Sequence, residues 1–532
     1  MVGDPATPAP ASSGDRWPLA ATIVLALLAF AALMFIGRGI GFFYDEWNFV
    51  LFRRAWTADT FLQPHNEHIA VLPVLVYKTL FELVGLSSHW PYRMLPAALH
   101  AGIGVTVFLL ARSRVGGPAA LLAAALVLVM GRTSENLLWA FQIGFLGSVL
   151  GGLLALLALD RGRRAAACAA LVFATLCSSL GVPFALGVAV EQLAGGRRRA
   201  LWVPAVPLAL YAVWWVGYGR GTNHITADSA AQATTWASDA AAAAAGSVVG
   251  LSIDWGRVLL VLLVAALLVR VVRQGTGTPR LAALIVTVVT FWALTGAARS
   301  LLVDPSASRY LTLGGVVMVL VVVELLAGTA ITRRALAAGA LLVVFAGLAS
   351  LPSLRGYARN QRHLTGITAA ELGALQLAGA SAPAAFQPDP GLAPQVTAGP
   401  YLAAVRDQGS SPADTAAELP RAYNEERGRA DEVLQQVALA VTRATARSAG
   451  CTTVRSGATR ELPLPPGGVT LVGPRAGATL RVRRFGDGFV NPPLALPAKA
   501  AAVRIAPRSD ASPVAYRAQV VAGPRSLLVC TG

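Results

Sequence analysis

Between residues 17 and 352 the chain is a succession of apolar runs broken by short hinges in which arginine recurs. Crossing ~30 Å of hydrocarbon at ~1.5 Å per helical residue takes about 20 such residues. Inside lipid the backbone finds no water to bond, so runs of this kind fold as helices rather than lone strands. The short alternating strands of an outer-membrane barrel are not seen. Candidate spans lie at 17–36, 93–111, 117–131, 137–159, 165–180, 182–195, 201–217, 257–273, 281–298, 310–328 and 335–352, about eleven helices by hydropathy. Only 13% of the 532 residues are charged and 55% are hydrophobic, whereas soluble domains carry about 25% charged residues. The chain reads as a polytopic α-helical membrane protein.

The formal net charge of +17 invites a nucleic-acid reading, which the distribution of the charge argues against. Much of the excess sits in the hinges, as Arg112 and Arg114, Arg161, Arg163 and Arg164, Arg197–Arg199, Arg270, Arg273 and Arg280, and Arg333 and Arg334. These fall on every second hinge, which the positive-inside rule assigns to the cytoplasm. The N-terminus is then inside, the C-terminus outside, and the outer hinges are 37–92, 132–136, 218–256 and 299–309. The expected location is the cell membrane.

Residues 1–16 are polar and rich in Pro, Ser and Ala, and are expected to be a disordered cytoplasmic segment. The run His68–Leu86 holds Pro73, Lys78 and Glu82 and would invert every later hinge if it spanned, so it reads as an interfacial helix. Ala240–Val249 is too short to span. Residues 353–449 form a mainly helical extracytoplasmic segment. Residues 450–532 alternate Val, Leu and Arg with Pro and Gly, a small β-sandwich pattern. Cys451 and Cys530 bracket that last domain, and a compartment outside the cell permits their pairing. Cys168 and Cys177 read as buried packing residues.

The first outer loop, 37–92, carries the densest chemistry. Asp45 and Glu46 follow the first span among Phe42, Phe43, Tyr44 and Trp47. A carboxylate pair at this depth is either a solvated helix end or a base held at headgroup level. His65 and His68 are three apart and would share a helical face, with Glu67 between them. That set suits either a divalent metal or hydrogen bonds to sugar and phosphate. Arg53 and Arg54 suit interfacial snorkelling or a phosphate contact. Ser308-Arg309-Tyr310 sits at the outer mouth of a later span, and Glu135, Asn136, Trp139 and Gln142 at another.

The order of features in this loop resembles the protein mannosyltransferase and aminoarabinose-transferase branch of the GT-C membrane glycosyltransferases. The matching residues are Asp45-Glu46, the turn Leu72-Pro73 with Tyr77, the segment Leu80–Gly85, and Arg93; the family's Lys before its prolines is replaced by His65-Asn66-Glu67-His68. The resemblance covers the first 115 residues. It implies transfer of a sugar from a polyprenyl-phosphate donor to a glycan, lipid or protein acceptor at the outer face. It also implies Asp45 as general base, with Glu46 second to it. Arg53, His65, Glu67, His68, Lys78, Arg93, Arg309 and Tyr310 are then the residues expected to hold donor phosphate or sugar. The Ala/Arg/Gly-rich, Lys-poor usage fits a high-GC bacterial genome and hence a cell-envelope acceptor. Two other readings, a transporter or lipid flippase and a non-catalytic envelope assembly protein, place function at the bilayer midplane or in the C-terminal domain.

Overall fold

The computed structural model describes residues 16–222, 225–274, 277–445, 450–473, 477–496 and 502–531. Residues 1–15, most of the segment expected to be disordered, lie outside the described residues. The chain forms two compact units, one of Met1–Arg38, Ala55–Leu80 and Trp90–Arg359, the other of Gly39–Arg54, Phe81–His89 and Asn360–Gly532. The outer loop 37–92 therefore does not fold as one piece.

The first unit is a helical bundle. Nine of the described helices are long and apolar enough to cross a membrane, from Arg16–Ile36 to the helix that begins at Arg333. Arg164–Cys177 and Gly181–Ala194, shorter and also apolar, account for the runs at 165–180 and 182–195. Successive helices reverse through tight hinges; between Trp90–Val115 and Gly117–Leu128 the turn rests on Gly116 at φ +79°, a conformation that costs glycine little.

Charged groups from five helices meet at one end of this bundle. Arg114 bonds Asp160 (2.7 Å) and Glu324 (2.7 Å), and Arg280 bonds Asp160 (2.9 Å) and Glu191 (2.9 Å). The three carboxylates, Asp160 shared by both arginines, offset the charge of the two guanidiniums, which makes charge tolerable at this depth. Arg114 and Arg280, from two of the basic hinges, thus lie at one physical end of the bundle.

The opposite end is held by loops. Glu135 accepts from Arg309 Nη1 (3.0 Å), from the Arg309 amide (2.9 Å) and from Ser308 Oγ (3.1 Å), while Asn136 Nδ2 donates to the Arg309 carbonyl (2.9 Å). Helix Ala227–Val248 starts and finishes here: Ser300 Oγ donates to the Ser229 carbonyl, and Arg132 Nε to the Gly250 carbonyl just past its last turn. The Ala240–Val249 run therefore belongs to a longer helix whose two ends meet the same end of the bundle. Its small side chains bring Ile253–Gln274 close, for a Cβ on Gly256 would lie 1.8 Å from the Ala242 carbonyl.

The second unit combines helices Glu46–Phe52, Ala398–Gln408 and Asn424–Val437 with a β-sandwich. Its described strands are β1 (Leu439–Ala444), β2 (Cys451–Val454), β3 (Thr459–Leu464), β4 (Val469–Val472), β5 (Thr479–Arg483), β6 (Leu494–Ala495), β7 (Ala502–Pro507), β8 (Tyr516–Val521) and β9 (Leu527–Cys530). One sheet runs β1-β7-β4-β9-β2 and the other β3-β8-β5-β6. Alternate residues such as Leu480, Val482, Ala518 and Val520 are buried, the period-2 pattern of a half-covered strand. The sheet begins at Leu439, ahead of the composition change at 450, because β1 is written in the Ala-rich idiom of the helices before it.

Cys451 and Cys530 are opposite one another in the β2–β9 pairing and form a disulfide across 79 residues. Closing a loop of that length restricts the unfolded chain by roughly 4 kcal/mol in the chain-entropy account. Replacing both cysteines with Ser is therefore expected to destabilise the sandwich by about 2–4 kcal/mol. Thermal unfolding of the double variant beside reduced wild type checks this; equal melting of oxidised wild type and variant would refute it.

Asp414 gives the second unit a pH dependence. Burial, then the carboxylates of Glu426 and Glu418, push its carboxyl from the ordinary 3.8 up to about 6. The folded state keeps a proton that the unfolded chain has released, so stability falls as pH rises from about 4 to about 6 and is flat above. Asp414→Asn is expected to raise the melting temperature above pH 6 and to leave it unchanged below pH 4. A melting difference that grows toward acid pH would contradict that sign.

Candidate functional site

In the second unit, Glu46 is buried at the start of helix Glu46–Phe52. One carboxylate oxygen accepts the Phe43 amide (3.0 Å) and the other meets His89 Nε2 at 2.8 Å; His89 Nδ1 faces the Ile40 carbonyl at 3.1 Å. A carbonyl only accepts, so Nδ1 is the donor to Ile40. The pair clasps residues 40–46 to residue 89. Phe42 packs on the His89 ring (4.7 Å) and Trp47 against Tyr401 (6.1 Å). Glu46 is thus engaged in a structural clasp. Asp45, its neighbour, is half-buried, and the residue before it, Tyr44, has φ +44°. Arg53 closes the same helix with Nε 3.5 Å from Asn48 Oδ1, and burial lowers its pKa; Arg54 pairs with Asp407.

In the first unit the remaining loop residues take up separate posts. Lys78 donates to the Ala55 carbonyl (3.1 Å) and lies 4.4 Å from the Trp56 ring centre. Arg93 is buried, and Gly37 makes room for it, since a Cβ there would stand 2.6 Å from Nη1. Arg309 spends its charge on Glu135 and stacks on Tyr310 (5.2 Å).

His65 and His68 do not share a helical face. Each amide bonds the other's carbonyl at 2.9 Å, with Asn66 (φ +47°) and Glu67 (φ +70°) as the two turn residues of a hairpin. Asn tolerates that conformation, but Glu rarely adopts it. Tyr44, Asn66 and Glu67 are the non-glycine residues with positive φ among the described residues, and all three lie in the first outer loop. Such strain persists only where surrounding structure enforces it, and it collects at functional sites. The His65 ring rests on Phe141 (4.8 Å) and the His68 ring on Phe145 (5.5 Å). Among the described residues no group of three or more His, Cys, Asp or Glu is placed to hold a metal ion.

The hairpin turn lines a cavity of about 460 Å³ within the bundle, walled by Glu67, His68, Arg299, Tyr211, Trp215 and Tyr310 among others. Arg299 Nη2 bonds the Asn66 carbonyl (3.0 Å) and lies 3.4 Å from Glu67 Oε2, so it braces the strained turn. Burial, then Arg299 and His65, push the His68 imidazole down to about 3, leaving it neutral. The Trp215 end of the wall is a wide five-residue π-turn, Trp215–Gly219, a local form frequent at functional sites.

No protein-family profile matches the sequence, and no curated protein does. Among solved structures, the chain matches the cryo-EM structure of arabinosyltransferase EmbB from Mycobacterium smegmatis at 12% identity and a TM-score of 0.37. The match covers 99% of this chain, which spans 65% of that one.

Of the residues expected from sequence, Glu67, His68 and Tyr310 line one cavity, and Arg309 joins the Glu135 cluster instead. Arg299, Tyr211 and Trp215 went unnoticed. Arg299 carried a usable signal, being a cation on a hinge that the charge pattern expects outside, where few are called for.

Proposed function

We propose that this protein moves a sugar from a polyprenyl-phosphate donor to an acceptor at the outer face of the cell membrane, in cell-envelope glycan or glycoprotein assembly. The observation that carries the reading is the strain in the first outer loop: its positive-φ residues adjoin Asp45 and bear Glu67 itself. The loop's resemblance to the GT-C membrane glycosyltransferases supports the same reading. In the reaction, the acceptor hydroxyl attacks the anomeric carbon and gives its proton to a carboxylate, for which Asp45 is proposed. The bond from that carbon to the phosphate oxygen breaks, and polyprenyl phosphate departs with the electron pair, stabilised by cationic or hydrogen-bonding groups. The proposed orientation puts the N-terminus inside and the C-terminal unit outside.

The test is transfer of label from a polyprenyl-phospho-sugar to an envelope-glycan acceptor by the purified protein in lipid nanodiscs. Failure of every donor in a panel of pentosyl and hexosyl polyprenyl phosphates, with folded protein, would refute the function.

A further inference from the structure

The cavity beside the 65–68 hairpin differs from a phosphate site in its charge balance. Among its described lining residues the charged groups are Glu67 and Arg299, which face each other at 3.4 Å and cancel. An entering phosphate would meet the Glu67 carboxylate as well as the guanidinium, and like charges at this range repel. His68 adds no positive charge, because its imidazole is neutral.

The polar atoms on offer are of mixed kind. Glu67 accepts, Arg299 donates, and His68 Nδ1 and Ser179 Oγ are buried without a hydrogen-bond partner among the described residues. Buried polar atoms left unmade are costly, so the cavity is organised for a guest that both gives and takes hydrogen bonds. Hydroxyl groups do both, whereas the phosphodiester of a polyprenyl-phospho-sugar only accepts. Tyr211, Trp215 and Tyr310 also stand in the wall, among aliphatic side chains such as Leu186 and Leu294, and the negative potential of an aromatic face suits the C–H face of a pyranose or furanose. The volume falls in the range of small-molecule sites, about 300–1,000 Å³.

We infer that this cavity binds a neutral sugar ring, with Glu67 and Arg299 bonding its hydroxyls and the aromatic walls stacking on its face. This assigns the cavity to the sugar and not to the phosphate of the donor. The inference rests on the glycosyl-transfer reading and names the part of the substrate this site takes.

Ligand-observed NMR on the full-length protein in nanodiscs tests it, with a panel of methyl pentosides and hexosides as neutral probes and inorganic phosphate as the anion. At least one glycoside is expected to bind, and phosphate up to millimolar levels is expected not to displace it. Glu67→Gln should weaken that glycoside on the order of 10- to 100-fold, the worth of hydrogen bonds to a charged group. Trp215→Leu should weaken it too, which keeps the test open if Glu67→Gln does not fold. Displacement by phosphate, absence of binding by every glycoside, or indifference of both variants overturns the assignment. The transfer assay separates the two proposals. Turnover without glycoside binding here sinks this site alone, whereas Glu67-dependent binding without turnover from any polyprenyl-phosphate donor upholds the site and sinks the donor reading.

Discussion

Asp45→Asn is expected to slow sugar transfer on the order of 10²–10⁴-fold while the protein remains folded and able to bind donor. Asparagine keeps the size and one oxygen of the side chain but removes the basic oxygen proposed to take the acceptor's proton. The position favours a specific effect: Asp45 is half-buried, and its neighbour Glu46 is already committed to His89 and the Phe43 amide. Donor affinity is expected to hold, because phosphate binding is proposed to fall to cationic groups rather than to this carboxylate. Single-turnover measurement with a labelled polyprenyl-phospho-sugar, on monodisperse variant, separates chemistry from binding. Wild-type turnover by Asp45→Asn would remove the base assignment, and with it the main role given to the loop.

Arg280→Met is expected to cost the bundle roughly 3–5 kcal/mol, a purely structural effect. Its guanidinium bonds both oxygens of Glu191, at 2.9 and 3.0 Å, and Asp160 at 2.9 Å, and its side chain is 9% exposed. Methionine fills similar volume but leaves Glu191, 5% exposed, with Arg197 at 3.8 Å as its one ion-pair partner among the described residues. The double replacement Arg280→Met with Glu191→Met is expected to recover most of the loss, because both charges leave together. Melting followed by size-exclusion fluorescence measures both; a double variant as unstable as the single one would show that the network matters for more than charge balance.

The helices were legible because hydrophobic length alone marks a membrane span, whatever its packing. Their pairing was not. Arg114 and Arg280 read as markers of orientation, yet their partners Glu324 and Glu191 stand 210 and 89 residues away, beyond any local pattern. His65 and His68 show how spacing misleads. Three residues apart fits a helix, but Asn66 after Pro64 was the turn signal, and the chain reverses there. Hydropathy showed the loop's unusual residues but not its division between two units. That division depends on burial of Trp47 and Tyr401, 354 positions apart by number, which a linear reading does not connect.

The path of the chain also decides how the protein can be taken apart. It passes from one unit to the other at residues 38–39, 54–55, 80–81, 89–90 and 359–360. A fragment opening at residue 360 would look like a natural soluble domain by composition. It would nonetheless carry Tyr401 without the indole that packs on it, Asp407 without Arg54, and Ser410 without the Leu86 amide it accepts from. The two stretches 39–54 and 81–89 act as borrowed pieces of that domain, threaded out of the membrane half of the gene. A single cut therefore yields an unfinished body, and only a chimera that returns both pieces restores its interior.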